Sequence, residues 1–282
     1  MPALLILLGY AAAIRCGWVP PTDGFQVRDK NRIKSERYLL DSQLQPEAVV
    51  VGSSLAANLP TQEISPQVFN LGLAGDSAWT GLDLIQGRPA FRPRIVVVEV
   101  SDLLLRSSDR EFVHGLVDPP RMALRKAWPM FRTEYQPVGV VLKEIGRWQK
   151  RRKSAASAPP PSGVLPVTER LIEQARRTGE GGLEAGEEQR LKEACGRLRT
   201  KIEELQKSGL RCVLLDVPGE AGLATTPRAK QLAALFDQEF PAAQFTWIRP
   251  AADFKAATWD AVHLIPEDAL NYARHLCHEL ER

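Results

Sequence analysis

Five short apolar runs punctuate a chain that is otherwise mixed or polar. They are Ala48-Val49-Val50-Val51, Val68-Phe69-Asn70-Leu71, Ile95-Val96-Val97-Val98-Glu99-Val100, Cys212-Val213-Leu214-Leu215-Asp216-Val217 and the weaker Phe245-Thr246-Trp247-Ile248. The first four are rich in aliphatic residues and do not alternate with polar ones, the pattern of strands buried on both faces of a parallel sheet. Between and around them lie helix-length segments: Asn31 to Leu44, Ala78 to Gln86, a long one from about Thr168 to Ser208, Pro227 to Glu239 and Pro266 to Glu281. In the long segment Leu183, Leu191, Leu198, Ile202 and Leu205 recur at helical spacing amid charges, which predicts an amphipathic helix packed on the domain. Strands alternating with helices predict a three-layer α/β/α fold around a parallel sheet. Ligands on such sheets bind beyond the carboxyl ends of the strands, where Ser54 and the Leu73 to Ser77 turn fall.

Two stretches depart from this alternation. Residues 105 to 165 are basic, with Arg106, Arg110, Arg121, Arg125, Lys126, Arg132 and the run Lys150-Arg151-Arg152-Lys153, before a loose Ser154 to Pro161 segment. Trp128, Met130, Phe131, Tyr135 and Trp148 are interleaved, a mixture that suits an anionic membrane surface or an acidic glycan and equally a solvated face with a few packed aromatics. At the other extreme, Ala3 to Ile14 is apolar but shorter than the roughly 20 residues of a clean membrane span. It reads as a signal sequence or the end of an anchor, with a buried N-terminal helix as the alternative. The domain reading is therefore an apolar segment over 1–20, a linker and lead-in helix over 21–45, and an α/β domain over 46–282 with an insertion at about 105–208. The protein is expected to be extracytoplasmic, attached to a membrane by its N-terminal apolar segment or exported.

Composition changes this picture little. Thirty-seven basic against 34 acidic residues leave a net charge of +3 over 282 residues, which argues against a protein devoted to a polyanion, so no nucleic-acid partner is expected. Cys16, Cys195, Cys212 and Cys277 are scattered, without metal-ligand spacing or a disulfide framework. Neither a G-x-G-x-x-G nor a Walker A pattern follows a strand. No metal and no cofactor are expected.

The chemistry-bearing residues stand at the ends of predicted strands. Gly52-Ser53-Ser54 closes the first run, and Trp259-Asp260-Ala261-Val262-His263-Leu264 lies near the other end of the chain. A serine hydroxyl is a poor nucleophile until a neutral imidazole accepts its proton. The imidazole in turn needs a carboxylate to fix its tautomer and stabilise its charged form. Ser54, His263 and Asp260 supply those three roles, so the residues point to a serine hydrolase or acyltransferase. Capping of the following helix is the plainer use of Gly-Ser-Ser.

Three blocks, Gly52-Ser53-Ser54-Leu55, Asn70-Leu71-Gly72-Leu73-Ala74-Gly75-Asp76-Ser77 and Asp260-Ala261-Val262-His263-Leu264, resemble the SGNH/GDSL hydrolase superfamily. The resemblance spans about 48 to 280 without the insertion and implies a flavodoxin-like sheet. It assigns Ser54 as nucleophile, with Ser53 where the family usually has aspartate, and Asp260 and His263 as acid and base. The amides of Ser54 and Gly75 become the oxyanion hole. Where the family usually has Gly-x-Asn-Asp, this chain has Glu99-Val100-Ser101-Asp102, so Ser101, Asp102, Asp76 and Trp79 are the candidates for a third oxyanion donor or a pocket wall. With Gly-Ser-Ser and no such asparagine, the chain is similar to membrane-tethered SGNH proteins of cell-surface polymer acylation. That likeness implies O-acyl transfer or ester hydrolysis on an exported polysaccharide, with an acylated glycan or acyl donor as ligand and a membrane-bound O-acyltransferase as partner. The missing asparagine keeps a second reading open, a catalytically inactive accessory protein of the same fold that binds a glycan or a membrane acyltransferase.

Overall fold

The computed structural model describes residues 2–88, 92–153, 166–251 and 253–282, with the side chains of 2–4, 102–103, 146–153 and 166–168 outside the description. The Ser154 to Pro161 segment and the side chains of Trp148 and the Lys150 to Lys153 run lie outside the described residues. The chain divides into two units, Met1–Leu44 with Arg110–Gly163, and Gln45–Asp109 with Val164–Arg282.

The second unit is built on five parallel strands, β1 (Ala48–Gly52), β2 (Val68–Gly72), β3 (Ile95–Glu99), β4 (Arg211–Leu215) and β5 (Thr246–Ile248), in the spatial order β2-β1-β3-β4-β5. Every residue of β1, β2 and β3 is buried, which explains their unbroken apolar character. One face, including Val50, Val97, Val213 and Leu215, joins Tyr272, Ala273 and Leu276 in a single apolar cluster. Those last three belong to the C-terminal helix α12 (Pro266–Glu281). The short helices α3 (Ser54–Ala57) and α4 (Thr61–Ile64) supply Ala56 and Ile64 to the same cluster. The opposite face is approached by α5 (Ala78–Gln86), whose Gly81 lies so close to Val51 that an added Cβ would sit 2.7 Å from the valine Cβ. Helix α10 (Ala185–Lys207) backs β4. The architecture is the expected three-layer α/β/α fold with a parallel sheet.

The segment expected as one long helix is two, α9 (Pro166–Glu180) and α10, parted at Gly181-Gly182. Gly182 takes φ 69°, a conformation glycine adopts without a Cβ penalty, and the amide of Leu183 is capped at 2.6 Å by the side-chain carbonyl of Gln231. Gln231 lies on α11 (Pro227–Glu239).

Two polar residues sit inside the buried strands, and both hold the segment after β1. Asn70 donates through its side-chain amide to the carbonyls of Ala56 and Leu59, each at 2.7 Å, and accepts from the Gly72 amide at 2.8 Å. Glu99 ends β3 and reaches Ser53. Gly72 itself is pressed against α3, where an added Cβ would lie 2.5 Å from the Ala57 nitrogen.

The first unit consists of α1 (Pro2–Arg15), α2 (Val27–Leu40), α6 (Arg110–Val117), α7 (Pro119–Ala127) and α8 (Pro137–Lys153). Glu36 is buried and accepts from the amide of Thr133 at 2.6 Å, beside Arg125 at 3.4 Å. Part of the basic character of this region is thus spent internally. The expected N-terminal membrane attachment is overturned. Among the described residues no helix is long and apolar enough to cross a membrane. Helix α1 has 14 residues, about 21 Å at 1.5 Å per residue against a hydrocarbon layer of about 30 Å. Its Ala11 and Ile14 pack with Met130, the Tyr10 hydroxyl donates to the Tyr135 carbonyl at 2.7 Å, and Arg15 donates to the Ala127 carbonyl at 2.7 Å. The apolar run is in part a packing element of this unit, while Leu5 to Leu8 stay exposed.

Because the Gly72 approach is to backbone atoms, the substitution Gly72→Ala has no flexible neighbour to displace. Urea unfolding should show a loss of about 1–3 kcal/mol in stability relative to the parent protein.

Candidate active site

Parallel strands put every carboxyl end on one edge, and the order β2-β1-β3 places the reversal of winding between β1 and β3. Ligands of open α/β sheets bind in the crevice at that reversal. The nucleophile candidate follows β1, and the altered third block follows β3, so the sheet topology brings them to the same crevice.

Ser53 caps α3. Its Oγ accepts the Leu55 amide at 3.1 Å, while its own amide and hydroxyl donate to Glu99 Oε2 at 2.6 and 2.7 Å. Ser53 is 1% exposed. Ser54, the first residue of α3, is half-buried, and among the described residues its Oγ has no hydrogen-bond partner. The cap and the candidate nucleophile are therefore separate serines: Ser53 performs the capping role, and among the described residues the Ser54 hydroxyl stays uncommitted.

Gly75 lies in the turn after β2 with φ 79°, and a Cβ there would meet nothing within 4 Å. The turn is fastened by the Leu73 amide on the Gly52 carbonyl at 2.9 Å and by Arg106 on the Gly75 carbonyl at 2.8 Å. Among the described residues the amides of Ser54 and Gly75 donate to no protein acceptor, so both remain available to a ligand oxygen. Asp76 shapes the same turn by accepting from the Ser77 amide at 2.8 Å and the Thr80 hydroxyl at 2.7 Å. Burial raises the Asp76 pKa, with Asp109 adding to the rise, against the opposing pull of those two bonds and Arg106. Trp79 is half-buried, its indole donating to the Leu104 carbonyl at 3.1 Å with the Arg197 guanidinium 5.9 Å from its ring. Ser101 is half-buried at the start of the turn after β3 and its carbonyl accepts the Leu104 amide at 3.0 Å. Asp102 opens the 3-10 turn Asp102–Leu105, and its side chain lies outside the described residues.

Asp260 and His263 are brought together as their spacing predicts. Asp260 Oδ2 lies 2.6 Å from His263 Nδ1, and Oδ1 accepts the amides of His263 at 2.7 Å and Val262 at 3.1 Å. Burial raises the Asp260 pKa, but the three bonds from His263 and Val262 and the His263 charge outweigh it and hold the carboxyl below its ordinary value. With Nδ1 committed to the carboxylate, Nε2 is the ring nitrogen left for a partner. The turn is strained: Ala261 takes φ 73°, a region costly for a residue with a Cβ and concentrated at functional sites.

The loop is closed by the Trp259 amide on the His263 carbonyl at 3.1 Å and the Ile265 amide on the Ala257 carbonyl at 3.0 Å. Glu220 accepts from the Thr258 amide and hydroxyl, and Asp268 of α12 from the Ala257 amide. The Trp259 ring stacks on the His263 ring, centroids 5.3 Å apart and planes 17° from parallel, and stays 54% exposed. Leu55 and Leu264, the residues that follow Ser54 and His263, pack in one apolar cluster. No hydrogen bond joins Ser54 to His263 among the described residues. In sites of this kind the serine–imidazole bond often tightens only around substrate.

Sequence reasoning left out Glu99 and Asn70 as builders of the serine turn and Trp259 as the cover of the imidazole. The signal for the first two was a lone polar residue inside a buried strand.

No protein-family model matches the chain, and no curated protein matches it. Among solved structures, a Streptococcus pneumonia protein provisionally named a platelet activating factor superposes with a TM-score of 0.42 at 14% identity, over 96% of this chain and 99% of that one. A Bacteroides fragilis protein provisionally named an acylhydrolase superposes with a TM-score of 0.42 at 11% identity, over 91% and 97% of the two chains. Similarity at this level speaks neither to substrate nor to site.

The depressed pKa of Asp260 has a consequence for stability. A carboxyl whose folded pKa is lowered contributes stability that is complete above its ordinary value near 3.8 and is lost as pH falls through the folded value. Urea midpoints measured from neutral pH into acid should fall in the parent protein, and the acid part of that fall should be smaller in Asp260→Asn.

Proposed function

We propose that this protein is a serine-dependent enzyme of acyl transfer at an ester. The observation that carries the reading is the Asp260–His263 pair, carboxylate on Nδ1 at 2.6 Å, on the same sheet edge as a serine hydroxyl and two uncommitted amides. Ser54 Oγ attacks the acyl carbon and gives its proton to His263 Nε2, while Asp260 stabilises the imidazolium. The carbonyl oxygen, now an oxyanion, is received by the amides of Ser54 and Gly75. Collapse breaks the bond to the leaving alcohol, which takes the proton from His263. The acyl group on Ser54 then passes to water in hydrolysis, or to another hydroxyl in O-acyl transfer.

The finer reading is an acyl group carried on a glycan. It is supported by the likeness of the Gly-Ser-Ser block to SGNH proteins of polymer acylation, and by the exposed Trp259 face beside the base, where a sugar ring or acyl chain finds a flat apolar surface. A second reading, a non-catalytic glycan-binding relative, is favoured by Ser101 standing where the family usually has asparagine, since one oxyanion donor is worth about 100- to 1000-fold in rate.

Hydrolysis of p-nitrophenyl acetate separates the two. The parent protein should turn over, Ser54→Ala and His263→Ala should each lose about 1000-fold or more, and Asp260→Asn should fall with them while remaining folded. No turnover by folded parent protein would favour the accessory role, and turnover undiminished in Ser54→Ala would reject Ser54 as the nucleophile.

A further inference from the structure

We infer that Glu99 is the positioning residue of the serine turn, a carboxylate supplied from β3 that fixes the backbone on both sides of Ser54. The inference rests on the reading of Ser54 as nucleophile. Glu99 is 2% exposed at the end of β3. One of its oxygens, Oε2, takes both the amide and the hydroxyl of Ser53, at 2.6 and 2.7 Å. The Ser53 oxygen then takes the Leu55 amide at 3.1 Å. Residue 53 is thus pinned to β3 directly and residue 55 through the Ser53 oxygen, and Ser54 stands between them with its own amide unclaimed among the described residues. A donor aimed at a ligand oxygen is effective only when its direction is set beforehand, and this chain of bonds sets it.

The fit is specific. An added Cβ on Gly52 would lie 2.5 Å from Glu99 Oε2 and 2.7 Å from Glu99 Cβ, so glycine at position 52 is what lets the carboxylate reach the turn. Position 53 carries a hydroxyl where the resembling family carries aspartate. An aspartate there would bring two carboxylates to hydrogen-bond distance with no donor between them, and like charges so close repel. Ser53 and Glu99 therefore form a matched pair. The other oxygen, Oε1, is buried with no hydrogen-bond partner among the described residues.

The test uses the full chain, with second-order labelling by a fluorophosphonate probe, kcat and KM for p-nitrophenyl acetate, and the urea midpoint of every variant. E99A should slow labelling and lower kcat on the order of 100-fold with KM little changed. E99Q, which keeps an acceptor oxygen toward Ser53, should recover most of the rate. S53D should lose rate like E99A, and S53D/E99S should regain part of it. Parent protein that labels, beside folded E99A or S53D that label equally fast, overturns this inference alone. E99Q no better than E99A overturns it as well. Parent protein that does not label overturns the nucleophile reading and this inference with it.

Discussion

Parallel pairing with helices on both faces is the constraint from which the rest of the α/β unit follows. It sends every strand in the same direction, so the segments after β1, β2 and β3 and the loop that follows β5 open on one edge. It also removes water from both faces of β1, β2 and β3, where any polar side chain must find a partner or cost free energy. Asn70 and Glu99 are the polar residues within those strands, and both bond the stretch from Ser53 to Leu59, Asn70 also accepting the Gly72 amide. The sheet is therefore also the mount of the serine turn.

The two halves of the site are stabilised differently. The serine half is clamped from below by buried groups, and glycines at 52 and 72 allow the backbone and the Glu99 carboxylate to approach within reach. The imidazole half is a surface loop held by its own polar bonds: Asp260 gathers two amides and a ring nitrogen, Glu220 anchors Thr258, and Asp268 ties the loop to α12. Strain at Ala261, itself 3% exposed, is balanced by that set of bonds together with the packing of Leu264 in the apolar cluster. In the proposed mechanism the serine turn is thus held from within the sheet, while the Asp260–His263 pair sits on a bonded, partly exposed loop.

Much of the unit was legible in the sequence, because burial on both faces writes itself as an unbroken aliphatic run. All five strands fall on the runs that predict them, and α5, α11 and α12 match their expected spans. Asp260 and His263 were legible because three residues in one turn can meet without help from the rest of the fold. The break at Gly181-Gly182 was signalled locally by the glycine pair and was passed over in favour of the helical charge and leucine pattern around it; the Gln231 bond to the Leu183 amide then fixes the stop. The N-terminal run misled because hydrophobicity alone does not distinguish a segment that enters lipid from one whose Ala11 and Ile14 pack on Met130. Glu99 appeared in the sequence only as a departure from a family block. Its partner is 46 residues away, and no local pattern encodes that contact.

In the proposed mechanism Ser54 carries the acyl group during turnover, and the acyl-enzyme itself is the most direct observable. The parent protein would be mixed with p-nitrophenyl acetate, quenched in acid within the first turnover, digested and mapped by mass spectrometry. The account predicts an acetyl group on Ser54, absent from Ser54→Ala and accumulating when His263 is replaced only to the extent that attack still occurs. Folded protein that turns the ester over with the acetyl group on another residue, or with no acyl adduct at Ser54 under any quench time, would contradict it.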